Sequence, residues 1–276
     1  MAYCYAYLGG GFAYIPTKDA RPKARAAALR ALEIDDALAE AHASLAAIRW
    51  QHDWDWAGAE REGKRAVELN PNSAVAHTTY MTYLASMGRF DQAVAEGRLA
   101  QQLDPLGPRV LADIGWAYFV NRHYDEALPY LQKALELDPN LPWVRTNLAQ
   151  TYAFMGRHTQ ALAECEKIEE YADPAEHQLE AAEVGYVYAV SGRRAEARRI
   201  LEGFKKVAKT RYVDAYKVAE VYAGLGEKDQ AIEWLQRAYQ ERTGSMWMLK
   251  MYATWDPLRS DPRFQDLLRR MNFPSG

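Results

Sequence analysis

Pro71, Pro105 and Pro139 stand 34 residues apart, and alanines keep the same interval at Ala59, Ala93, Ala127 and Ala161 and again at Ala66, Ala100 and Ala134. A fixed period of this length marks one supersecondary unit copied along the chain, each copy covering the open face of its neighbour. The expected fold class is therefore all-α: an α-solenoid of stacked antiparallel helical hairpins. At 276 residues such an array needs no domain boundary, because it grows linearly.

The unit 108–141 shows why one period makes a hairpin. Pro108 suits the first turn of a helix, where its missing N–H costs little. Leu111, Ile114, Gly115 and Tyr118 then recur on one helical face. Asn121-Arg122-His123 make a turn, Asp125 is placed to cap the second helix, and Tyr124, Ala127, Leu131 and Ala134 form its facing stripe. Leu137-Asp138-Pro139 ends it, since proline cannot continue the hydrogen-bond ladder. Small residues at Gly115, Ala127 and Ala134 let the two backbones approach closely.

This pattern resembles the tetratricopeptide repeat. Six copies are legible, over 40–73, 74–107, 108–141, 142–177, 178–211 and 212–245. The fourth and fifth depart most, with Ile168 and Phe204 in the second alanine slot and Asp173-Pro174 displaced by one residue. Gly63 and Gly97 stand where other copies carry Leu131, Leu201 and Leu235. Crowding by Trp50 or Trp56 is the expected reason for the first; the second has none in the sequence. Residues 1–39 read as a truncated first repeat, with a remnant helix over 2–8, the loop from Gly9-Gly10-Gly11 to Pro16, and a second helix carrying Ala24, Ala28, Ala31 and Leu32. Residues 246–276 are expected to be short capping helices that close the far end.

A narrower likeness rests on Asp53-Trp54-Asp55-Trp56-Ala57-Gly58-Ala59-Glu60 and on Asp256-Pro257-Leu258-Arg259-Ser260-Asp261-Pro262-Arg263-Phe264. Both resemble C-terminal tetratricopeptide tails of bacterial winged-helix regulators, adenylate cyclases and serine/threonine kinases. That likeness implies a regulatory or sensory tail whose partner is a missing N-terminal effector domain. No kinase glycine loop, cyclase motif or winged helix is present, so none of those activities carries over.

In repeats of this family the first helix of each hairpin lines the concave side, and its inner stripe is the expected binding surface. The candidate groove residues are Arg109, Trp116, Phe119, Trp143, Gln150, Phe154, Tyr186 and Tyr216. Open to water, these rings would form a patch large enough to mark an interface, and aromatic anchors dominate interface energetics. The competing explanation is that they pack between first helices or under the C-terminal segment. The groove is expected to hold a peptide or partner helix. A lysine- and asparagine-lined carboxylate clamp is not expected, since its places hold Ser44, Ile48, Thr79, Arg109 and Asp113.

Other functions lack their residues. With 34 basic and 37 acidic side chains and a net charge of −3, the chain lacks the clustered cations of a nucleic-acid binder. Cys4 and Cys165 show no metal or redox spacing, and the six histidines form no ligand pair. No catalytic residue, metal or cofactor is expected, so the chain reads as non-enzymatic. No run of about 18 apolar residues occurs. The expected compartment is the cytoplasm, with the periplasm as alternative if a membrane-anchored parent precedes the array.

Overall fold

The computed structural model describes residues 17–170 and 176–273. Helix α1 (Thr17–Ile34) precedes six hairpins: α2 (Ala39–Ile48) with α3 (Trp56–Leu69), α4 (Ala74–Ser86) with α5 (Phe90–Leu103), and α6 (Pro108–Val120) with α7 (Tyr124–Leu137). The last three are α8 (Pro142–Phe154) with α9 (His158–Glu169), α10 (Gln178–Val190) with α11 (Arg194–Val207), and α12 (Ala215–Gly224) with α13 (Lys228–Glu241). Two 3₁₀ turns (Met246–Met248 and Ala253–Leu258) and α14 (Pro262–Arg270) follow. The remnant helix over 2–8, Cys4, the glycine loop, Pro16 and Asp173-Pro174 lie outside the described residues.

The periodic residues do the punctuating. Asn70, Asp104 and Asp138 end α3, α5 and α7, and the proline after each cannot donate to another helical turn. Between the helices of a hairpin the chain needs one left-handed residue, supplied by Gly88, Gly156, Gly192 and Gly226. The third hairpin has Arg122 there, at φ 68°, a strained place for a side chain with a Cβ. Asp125 does not cap α7: His123 flanks that helix with no side-chain cap. Asp125 lies instead in the first turn, where a carboxylate favours the positive end of the helix dipole.

Alanines at the approach points (Ala59, Ala93, Ala127, Ala134, Ala161) are completely buried, and a Cβ on Gly115 would come within 2.8 Å of Leu131. The glycines out of pattern have different causes from the one expected. A Cβ on Gly63 would meet the ring of Tyr80 at 2.8 Å, not a tryptophan. On Gly97 it would sit 2.9 Å from the Met81 sulfur and 3.3 Å from Ile114. In both cases a large side chain of a neighbouring first helix occupies the leucine's place. Polar links also cross the hairpins: His42 and Glu62 share a hydrogen bond at 2.7 Å, His77 and Glu96 one at 2.6 Å. Arg145 and Glu164 pair at 3.0 Å in the fourth hairpin.

The tryptophan-rich motif of the first hairpin is resolved residue by residue. A π-helical turn over Arg49–Asp53 leads to Trp54 at φ 58°. Asp53 pairs with Arg21 and Arg25 of α1, which also packs Ala24 and Ala28 against Leu45 and Ile48. Asp55 caps α3 by accepting from the Gly58 amide at 2.9 Å. Restoring the repeat's leucine at position 63 drives a side chain into Tyr80, so Gly63→Leu is expected to destabilise the fold by about 1–3 kcal/mol, read by urea denaturation.

Candidate functional site: the occupied concave groove

The first helices bring the predicted groove residues to one hollow, but the hollow is not open. Trp116, Phe119, Trp143, Gln150, Tyr186 and Tyr216 are all buried, none more than 8% exposed. The expected water-exposed aromatic patch is therefore corrected. Its cover is the chain's own C-terminal segment, which does not sit at the far end as a cap but runs back through the hollow. Residues 243–249 are buried without interruption. Trp247 lies between Trp50 of the first hairpin and Trp116 of the third, with ring centroids at 6.2 and 5.9 Å. The Trp116 indole donates to the Tyr252 hydroxyl at 3.0 Å, and Phe119 meets the Tyr252 ring edge-on. Trp255, wholly buried, donates to the Tyr216 hydroxyl at 2.8 Å. Arg109 is half-exposed and folds onto Asp113 at 3.0 Å while its guanidinium covers the Trp143 ring. Phe154 is half-buried between Tyr124 and Tyr186.

The tail ends against the beginning of the array. The Trp56 indole donates to the Met271 carbonyl at 3.1 Å, and Phe273 stacks on the same ring at 4.5 Å. Trp54 stacks on Tyr239 of α13 at 5.4 Å and carries the Arg242 guanidinium over its ring at 4.5 Å. First and sixth hairpins thus touch directly. Asp256 takes the strained Arg122 at 2.7 Å and Arg259 at 2.6 Å, and Asp261 caps α14.

Beneath the tail lies a cluster of buried charge. Asp214, Glu180, Glu183 and Glu220 are at most 3% exposed, and Lys217 is equally buried. Lys217 stands 3.7 Å from Glu220, which also accepts from Gln150 at 3.2 Å. Ser245 of the tail donates to Asp214 at 2.7 Å. One ammonium cannot neutralise four carboxylates, and burial disfavours their charged forms. Desolvation, opposed by Lys217, pushes the Glu183 carboxyl up to about 8 and raises Glu180, Glu220 and Asp214 as well. Among the described residues no group of histidine, cysteine and carboxylate side chains could hold a metal ion.

A tetratricopeptide repeat family model matches residues 118–183, and a second matches 215–242. The chain carries tetratricopeptide repeats. It is 28% identical over 146 residues to the type IV pilus assembly protein PilF of Pseudomonas aeruginosa, covering 52% of this chain and 57% of that protein. It is 30% identical over 95 residues to the small glutamine-rich tetratricopeptide repeat-containing protein 2 of Mycosarcoma maydis, covering 34% of this chain and 27% of that one. The matches thus span only part of either relative. The solved structure of PilW, a widely conserved type IV pilus biogenesis factor, superposes with a TM-score of 0.54 at 16% identity over 83% of this chain and 98% of PilW. That likeness establishes the fold alone. No helix among the described residues is long and apolar enough to cross a membrane.

Within this tetratricopeptide array the sequence pattern named the rings and, as the competing explanation, their C-terminal cover, but it missed the tail's path through the hollow and the acidic cluster. The tail's signal was its apolar density, Met246-Trp247-Met248-Leu249 followed by Met251-Tyr252, excessive for a surface cap. The cluster's signal was charge on inward positions, Glu180, Glu183 and Lys217, inside otherwise apolar helices.

The raised carboxyls give a pH dependence of definite sign. An acid whose pKa is higher folded than unfolded keeps its proton in the fold, so stability is fullest below its ordinary pKa and falls as pH climbs towards about 8. Melting at pH 5.5 and pH 8.5 is expected to show the chain less stable at the higher pH by at least about 1 kcal/mol, one pKa unit's worth. Glu183→Gln is expected to flatten that slope.

Proposed function

We propose that this chain is a non-enzymatic protein-interaction scaffold whose concave groove takes an extended peptide or partner helix in competition with its own C-terminal segment. One observation carries this: the groove's rings already hold a polypeptide, through Trp116 to Tyr252, Tyr216 to Trp255 and the Trp50–Trp247–Trp116 stack. The Trp116–Tyr252 and Trp255–Tyr216 pairs each join an apolar ring surface to a hydrogen bond, which is how aromatic anchors fix an interface; Trp50 and Trp247 contribute ring packing alone. A partner with similarly spaced aromatics would use the same seats. The likeness to PilF and PilW fits a scaffold that holds parts of a larger assembly together. Arg109, closed on Asp113, and half-buried Phe154 lie where an incoming chain would first touch the wall.

The test is reconstitution. A chain ending at Arg242 is mixed with a separate peptide spanning 243–273, and binding is followed by fluorescence anisotropy and helicity by circular dichroism. Association at micromolar affinity or tighter, about −8 kcal/mol, is expected, with little uptake of the same peptide by the intact chain. Trp116→Ala in the truncated chain is expected to weaken it more than tenfold. A truncated chain that folds yet ignores the peptide would rule the groove out as a polypeptide seat.

A further inference from the structure

We propose that the cavity between the fifth and sixth hairpins binds a small amphipathic monoanion, an apolar body carrying one carboxylate. The cavity measures about 260 Å³ and no residue of the tail lines it, so it is separate from the groove. It exists because the repeat is broken here. The connections 70–73, 104–107 and 138–141 have four residues, whereas 208–214 between α11 and α12 has seven. Phe204 replaces the small residue of the regular copies at the same junction, and both family matches leave 184–214 uncovered.

The lining sorts into a body and a head. Phe204, Tyr222 and Trp234 make an apolar, largely aromatic floor; the cations among the lining residues are Lys205, Arg211 and Arg237, and no carboxylate is among them. Lys205 is paired with Glu202 and Arg237 with Glu241, each at 2.7 Å, but both cations are more than half exposed. Such surface pairs are weak and exchange partners readily. No ion pair to Arg211 appears among the described residues. A guanidinium over an aromatic floor, as Arg237 lies over Trp234 at 5.0 Å, can grip a carboxylate in its plane while the floor shelters the body. The volume is that of roughly nine water molecules and lies just below the usual range for ligand pockets, about 300–1,000 Å³. An occupant of about ten non-hydrogen atoms fits it.

Calorimetric titration of the full chain with octanoate, 1-octanol and octylammonium tests this. Octanoate is expected to bind, octanol at least about fivefold more weakly, and octylammonium more weakly still. Ala208→Trp, at an exposed lining position, plugs the cavity without entering the core. It and Arg211→Ala/Arg237→Ala are each expected to weaken octanoate about tenfold with melting unchanged. No octanoate binding, equal affinity for octanoate and octanol, or octanoate binding unaltered by both variants, would overturn the proposal.

Discussion

Everything in this molecule depends on keeping a wall of rings dry. First helices of a tetratricopeptide array are apolar on two faces: one packs on the second helix of its hairpin, the other looks into the hollow. Trp50, Trp116, Phe119, Tyr186 and Tyr216 lie on that second face, and each large ring left in water forfeits a few kcal/mol of burial. The tail removes the problem by threading the hollow itself, so the segment beyond the last hairpin serves as the core of the superhelix.

That solution carries a conflict. Sealing the hollow also seals in Asp214, Glu180, Glu183, Glu220 and Lys217, and charge in such a place is expensive unless paired. The carboxyls answer by holding protons, as the raised Glu183 shows, and by taking hydrogen bonds from Gln150 and Ser245. A purely apolar floor would be more stable but less particular. The polar cluster asks any segment that lies over it to supply a matching donor, as Ser245 does to Asp214.

Much of the fold was legible because it is repetitive. Alanine, glycine and proline at a 34-residue interval report backbone approach and helix ends, which are local matters. Fidelity failed where the cause was distant. Gly63 and Gly97 yield to Tyr80, Met81 and Ile114 on neighbouring helices, a contact no periodicity announces. The inner wall could be named from helical spacing, but whether Trp116 faced water depended on Trp247 and Tyr252, 131 and 136 residues further along. Asp125 was misplaced by two positions, because the helix begins at Tyr124 and its cap position is His123, without a side-chain cap.

The contact between Trp54 and Tyr239, with Phe273 laid on Trp56, has a consequence for how such a chain can evolve. Ordinary solenoids gain or lose a hairpin with little penalty, since each unit knows only its neighbours. Here the two termini of the array must meet at one rise and one angle. Duplication or deletion of a single hairpin would leave the indoles facing empty space, so these contacts tie copy number to geometry.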